Sequence, residues 1–445
     1  MAHSAFILLL LVPVLLASSA AIGHASFDLH AELNHPYAGR PISKYEMIRY
    51  AASSSKARRA WNAARVAKAC GHGHGRARGT ISAADVPISP LESIHTLTVG
   101  IGTPPQPHTL IVDTGSDLVW AQCNLFPNTA PQKEPLYDPT KSSSFAAIPC
   151  DGKLCQEDYF DTKSCPNNKC VYTYSYGSAT NDGELASEIF TFGAHHKVPV
   201  PLGFGCGRLL TGEISNTSGL IGLSPQALSL VSQLQIPRFS YCLTPFTDRK
   251  SSHMFFGAMA DLTKYRTVGP IQTTSIVNNK IGGNTYYYVP LIGISLGTKH
   301  LNVPASSFAI GPDGNGGTFV DSGYTTGGLR PIALKALKEA LVEAIKLPMS
   351  KSSDPDYDFC FQLPHGVPMK AVQTPPLLYH FEGGATMVLP RDSYIAEPSP
   401  GEMCLVIGLD DNHMVIGNYQ QQNMHLLFDV QNQKFSFAPT QCDQI

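Results

Sequence analysis

Charge is scarce in this chain: only 15% of its 445 residues are charged, against 43% hydrophobic. That excludes wholesale disorder and leaves enough length for two or three packed lobes. An excess of one sign is also missing. The formal net charge is −2, which excludes a nucleic-acid binder held by bulk electrostatics. No apolar run is long enough to span a bilayer, since that from Phe6 to Leu16 has eleven residues where a span needs about 20. The polar end from Pro439 to Ile445 is no lipid-anchor tail. The 16 histidines show no ligand spacing, and Cys70, His72 and His74 fall in a glycine linker, so neither a metal nor any other cofactor is expected. Turn residues, by contrast, are abundant. Glycine (38) and proline (34) make up about 16% of the chain, above the roughly 12% of average usage, which excludes an all-α fold and favours short strands joined by tight turns.

The apolar run, followed by Ala17, Ser18, Ser19, Ala20 and Ala21, predicts a secretory signal peptide over 1–25. Residues 27–80 then hold ten Lys or Arg against three acids, a formal +7, while 81–445 hold 22 basic and 31 acidic residues, a formal −9. The near-neutral total hides a basic leader attached to an acidic body. Its Ala/Arg-rich stretch from Tyr45 to Ala69 permits a helix, and the Gly/His run from Gly71 to Gly79 reads as a cleavable linker. A propeptide over 26–80 lying on an acidic cleft is expected, against the plainer reading of a disordered leader with no inhibitory role.

Eleven cysteines are an odd number, but removing the leader takes Cys70 with it. Cys123, Cys150, Cys155, Cys165, Cys170, Cys206, Cys242, Cys360, Cys404 and Cys442 remain, an even set that suggests up to five disulfides in an oxidising compartment. Spacing does not choose among their pairings.

The chemistry-bearing segments are two. Thr109-Leu-Ile-Val-Asp-Thr-Gly-Ser-Asp-Leu-Val-Trp120 begins as an apolar strand that delivers Asp113 into a Thr-Gly turn, and Thr318-Phe-Val-Asp-Ser-Gly323 repeats this with Asp321, 208 residues later. A carboxylate at the end of a buried strand is costly unless another group shares its charge. Two such turns packed about a pseudo-twofold axis would satisfy each other. The pair would hold one proton, leaving one general base and one general acid to activate a water. Gly115 and Gly323 let the backbone turn, and Thr114 and Ser322 are suited to tie one loop to the other. A second echo supports duplication: Ser218-Gly-Leu-Ile-Gly-Leu223 and His413-Met-Val-Ile-Gly-Asn418 each follow an aspartate by about a hundred residues, with glycine where a strand passes close beneath a loop.

These residues resemble the plant nepenthesin-like aspartic proteases of the pepsin superfamily, over roughly 90–442. The resemblance is carried by Ile101-Gly-Thr-Pro-Pro-Gln106, Asp113-Thr-Gly-Ser-Asp-Leu118, Ser229-Leu-Val-Ser-Gln-Leu234, Phe239-Ser-Tyr-Cys-Leu243, Ile416-Gly-Asn-Tyr-Gln-Gln-Gln422 and Phe437-Ala-Pro439. It implies a mostly β, bilobal pepsin-like fold, with lobes over 81–244 and 245–445 and a cleft between them. It also implies that Asp113 and Asp321 are the catalytic pair, that Tyr176 beside Gly177 is the flap tyrosine with Trp120 packed behind it, and that Cys360–Cys404 and Cys242–Cys442 are bridged. Implied too are protein or peptide substrates, a removable propeptide, and a monomer exported to the extracellular space or vacuole.

Three departures stand against the family pattern. Ser116 follows the first turn, where its hydroxyl is expected on the outer oxygen of Asp113, but Tyr324 follows the second. The flap lacks a glycine in the run after Gly177, and Asn124 to Glu134 lacks the cysteines of relatives. They favour an alternative, a catalytically impaired pepsin-like binding or inhibitor protein. Elsewhere, Ile332 to Leu347 has the spacing of an amphipathic helix, and Asn216-Thr-Ser218 is an N-glycosylation sequon.

Overall fold

A computed structural model describes residues 27–445 apart from 38, 72–93, 128, 177–178, 194–197, 212–213, 215–216, 282 and 284. The expected signal peptide, most of the expected linker, Gly177 and the sequon at Asn216 lie outside the described residues.

The architecture is mostly β, as the turn-rich composition predicts. A nine-stranded sheet runs from Thr96–Ile101 to Gly219–Gly222, and sheets of five, four and four strands lie between Tyr287–Val289 and Met414–Ile416. A six-stranded sheet joins the two halves, drawing on Arg238–Cys242 and Ser252–Phe256 together with Met424–Asp429 and Lys434–Pro439. Its inward residues stack, with Phe239 and Phe428 rings 4.8 Å apart and nearly parallel at 6°. These aromatics belong to one buried cluster that continues into both halves, so the sheet fixes the two lobes to each other.

Both aspartate turns sit on the same local scaffold. Gln106–Asp113 pairs in parallel with Gly219–Gly222, and Thr318–Val320 with Met414–Ile416. The two sequence echoes are thus the strands beside the aspartates. Their glycines explain the spacing: a Cβ on Gly222 would stand 2.2 Å from the Asp117 carbonyl oxygen, and one on Gly417 would stand 2.3 Å from the Gly327 nitrogen. In each half the backbone passes too close beneath the aspartate loop for any side chain.

All ten body cysteines are paired: Cys123–Cys206, Cys150–Cys165, Cys155–Cys170, Cys242–Cys442 and Cys360–Cys404. The two bridges implied by the resemblance are present. Where cysteines are missing over 124–134, hydrogen bonds pin the segment instead. The buried Gln122 side chain accepts from the Ala130 amide at 2.9 Å, and Glu134 accepts from Thr109 Oγ1 at 2.7 Å and Ser218 Oγ at 3.2 Å. The amphipathic stretch forms the helix Pro331–Ala344, burying Ala333, Leu334, Leu337, Ala340 and Leu341. It stops three residues before Leu347 because Ile345 turns extended (φ −99°, ψ 97°) and buries its own side chain.

The leader is part of this fold. Leu29–Leu33 alternates buried and exposed residues and adds an antiparallel edge strand to the six-stranded sheet through Ser252–Phe256. Lys44–Gly71 is a single helix. Its first half buries Met47, Ile48, Ala51 and Ala52 in a cluster with Phe246, Tyr357 and Tyr419 of the body. The spacing Ile48, Ala51, Ser55, Arg58, Asn62 is one helical face, and all five residues are buried.

Candidate active site

The two aspartate turns meet. Thr114 N donates to Ser322 Oγ at 3.1 Å, and Ser322 N donates to Thr114 Oγ1 at 2.9 Å. This reciprocal tie is the one expected of Thr114 and Ser322. Within each turn the second residue's amide holds the carboxylate: Gly115 N donates to Asp113 Oδ1 at 2.9 Å and Gly323 N to Asp321 Oδ1 at 2.8 Å. Each glycine also faces the opposite carboxylate. A Cβ on Gly115 would stand 2.6 Å from Asp321 Oδ1, and one on Gly323 would stand 2.4 Å from Asp113 Oδ1, so a side chain at either place would drive the two turns apart. Both carboxylates are buried.

What lies between them was not foreseen. The Arg58 guanidinium of the leader helix spans the pair. Nη2 donates to Asp113 Oδ1 at 2.8 Å and Asp321 Oδ1 at 3.1 Å, Nη1 lies 2.8 Å from Asp113 Oδ2, and Nε donates to Asp321 Oδ2 at 3.0 Å. Each carboxylate is therefore gripped through both oxygens, a geometry that the planar fork of arginine matches and lysine does not. Burial works against the charge on Arg58, but Asp113 and Asp321 outweigh it and hold the group above its ordinary pKa. Burial raises the Asp321 carboxyl, the guanidinium pulls it down, and Asp113 raises it further. Asn62, one helical turn along, donates to Asp321 Oδ2 at 3.4 Å and accepts from the Tyr286 hydroxyl at 3.2 Å.

The two turns differ where the sequence differs. Ser116 Oγ donates to Asp113 Oδ2 in a short hydrogen bond. Tyr324 does not reach Asp321. Its ring is fully buried among Tyr286, Tyr288, Phe319 and Val415, and its hydroxyl lies beside Gly328, 2.9 Å from where a Cβ there would stand. The phenol therefore escapes the crowding at Asp321 by turning into the lobe. Asp321 is left without the side-chain hydroxyl that Asp113 has from its own turn.

Tyr176 ends the strand Val171–Tyr176, opposite Ala179 in a hairpin with Ala179–Phe192. Trp120 is fully buried in a cluster with Tyr172 and Tyr174 of that hairpin, and the Tyr174 hydroxyl donates to Asp117 Oδ1. The bridges Cys150–Cys165 and Cys155–Cys170 each close a separation of 15 residues beside it, each contributing about 3 kcal/mol on chain-entropy grounds.

Arg58, Asn62 and Tyr286 escaped the sequence reading. Arg58 is one of ten basic residues in the leader, and the only signal available was its place on the Ile48–Asn62 face, a helical stripe too polar to read as a docking surface.

Comparison with known proteins agrees with this scaffold. The family described as "Xylanase inhibitor N-terminal" matches residues 95–258, and "Xylanase inhibitor C-terminal" matches 286–439. Aspartic proteinase nepenthesin-1 of Nepenthes gracilis is 38% identical over 78% of this chain and 77% of its own length. Nepenthesin-2 of the same plant is 34% identical over 93% and 90%. Among solved structures, edgp and basic 7S globulin from soybean align with TM-scores of 0.66 and 0.61 at 19% identity, each over 79% of this chain and 94% of the other, a likeness of fold. The chain belongs to the pepsin-like aspartic protease family, in the company of the nepenthesins.

Proposed function

We propose that the protein is the zymogen of an exported aspartic endopeptidase, with Asp113 and Asp321 as its catalytic pair. One observation carries the reading: a single nitrogen, Arg58 Nη2, is shared by the inner oxygens of both carboxylates. A position that binds one hydrogen-bond donor between two carboxylates is where a water would be held for attack on a peptide carbonyl. With the leader gone, two buried carboxylates close enough to share one donor cannot both ionise cheaply and share a proton. Asp113 accepts hydrogen bonds from both Gly115 N and Ser116 Oγ of its own turn and serves as base. Asp321, raised by burial and without a hydroxyl from its own turn, keeps the proton and donates it toward the carbonyl oxygen. The attack then gives a tetrahedral diol, whose collapse expels the amine with a proton from the pair. The hairpin at Tyr176 is the flap over the substrate.

The leader is the propeptide, over 26–80, and the lobes are 81–244 and 245–445. Arg58 holds the pair inactive, and the further ion pairs Lys44–Glu397 (2.7 Å) and Lys56–Asp356 add to a docking that depends on ionised carboxylates. Five disulfides fit passage through the secretory pathway to the extracellular space or vacuole. The test is to acidify the precursor between about pH 3 and 6 with unfolded protein as substrate, beside Asp113→Ala. Cleavage by the first alone is expected. Equal, negligible cleavage by both would sink the protease reading and leave a pepsin-like binding protein.

A further inference from the structure

Beside the dyad, on the second lobe, lies a carboxylate that the mechanism does not use. Asp410 is fully buried. Its Oδ1 accepts the backbone N–H groups of Asn412 at 3.0 Å and His413 at 2.9 Å, but its Oδ2 is buried with no hydrogen-bond partner among the described residues. A half-satisfied buried carboxylate is costly, and native structures seldom keep one without a use. The neighbouring His413 does not supply the missing charge, because burial pushes its imidazole down to about 4. Burial raises the Asp410 carboxyl, and the side-chain cation whose charge opposes this comes from the leader. Arg59, next to the residue that blocks the dyad, brings its positive charge near both the Asp410 carboxylate and the Tyr324 hydroxyl, and neither the free Asp410 oxygen nor the Tyr324 hydroxyl has a hydrogen-bond partner among the described residues. Its Nη2 lies 3.3 Å from where a Cβ on Gly408 would stand, so the bare glycine leaves room for the guanidinium. Gly328 plays the matching part on the other side. A Cβ there would stand 2.9 Å from both Asp410 Cβ and the Tyr324 hydroxyl, and its absence lets carboxylate and phenol converge.

We infer that Tyr324, Asp410, Gly328 and Gly408 form a substrate subsite for a cationic side chain, which the leader fills with Arg59 until it is removed. The inference rests on the protease reading above. It also gives Tyr324 a role: the residue that no longer serves Asp321 forms one wall of the pocket. Leaving, the leader exposes a negative group beside the dyad, and a lysine or arginine of the bound peptide replaces the lost guanidinium. Asp411, exposed on the adjoining turn, adds to the negative field.

Two arms test this. In the first, the acid-activated protein is given peptides that differ at one position, scanned along both sides of the cleaved bond and carrying arginine, lysine, norleucine or glutamate, at about pH 5. At one position the basic peptides should exceed the norleucine peptide about tenfold in kcat/KM, and Asp410→Asn should erase most of that ratio. Cleavage with no position favouring a basic residue, or a ratio unchanged in Asp410→Asn, would overturn the inference. The second arm needs no activity. In the full-length precursor at neutral pH, amide hydrogen exchange over Lys44–Asn62 is compared for wild type, Arg59→Leu, Asp410→Asn and the double variant. Each single change should speed exchange several-fold, with the double variant little faster than Asp410→Asn. Additive effects would refute a guanidinium site at Asp410. If the wild type cleaves nothing, the protease reading falls alone, and the exchange cycle still decides whether the pocket takes a cation.

Discussion

Replacing Arg58 by methionine in the full-length chain perturbs the point where the leader helix meets Asp113 and Asp321. The substitution keeps an unbranched helix-forming side chain, so the helix Lys44–Gly71 and the apolar contacts of Met47, Ile48, Ala51 and Ala52 should persist. What is lost is the guanidinium grip on both carboxylates, every oxygen of which now lies within 3.1 Å of an Arg58 nitrogen. Removing one partner of a buried ion pair costs about 3–5 kcal/mol because the other is left uncompensated. The lower end applies here, since the two carboxylates left behind can take up one proton between them. A cost of about 3 kcal/mol raises the fraction of molecules with the leader undocked by about 150-fold. Hydrogen exchange of the amides over Lys44–Asn62 at neutral pH reads this directly. Exchange in Arg58→Met within twofold of wild type would refute the reasoning, because it would mean the ion pair adds nothing to the contacts around it.

Three further outcomes are expected. Docking of the leader should weaken as pH falls: burial raises the Asp321 carboxyl while Arg58 pulls it down, so protonating that carboxyl removes part of the negative charge that the guanidinium grips and loosens the leader; exchange over the leader helix that slows on acidification would contradict this. Tyr324→Thr should restore a hydroxyl near Asp321 and favour its ionised form, moving the alkaline limb of the activity profile to lower pH, while emptying a fully buried ring site at a cost of about 3 kcal/mol in urea unfolding. An unchanged profile would mean that the hydroxyl does not reach the carboxylate. Replacing Cys155 and Cys170 together by serine should remove about 3 kcal/mol, and an unaltered unfolding midpoint would show that the side of the lobe carrying the Val171–Tyr176 hairpin unfolds independently.

The parts of the fold that repeat were legible in the sequence. Asp113 and Asp321 announce themselves because each ends an apolar strand, and Gly222 and Gly417 because each must pass beneath a loop. Ser322 and Thr114 could be paired on chemistry alone. The interlocking of leader and body was not legible. Leu29–Leu33 has the alternation of a strand, but five residues gain that meaning only from the exposed edge at Ser252–Phe256. Arg58 is one cation among ten, distinguished by a docking angle that no local pattern encodes. Asp410, likewise, is marked by its burial and its unsatisfied oxygen, which are properties of the packed chain.

The central claim is that two carboxylates from two lobes act as one catalytic unit. Hydrolysis of an unfolded protein at acidic pH by the processed wild type, Asp113→Asn and Asp321→Asn, measured side by side, tests it most directly. The account predicts that either substitution abolishes cleavage to a similar extent, by about a thousandfold or more, because neither carboxylate can hold and move the shared proton without the other. Retention of wild-type cleavage by either variant would contradict it.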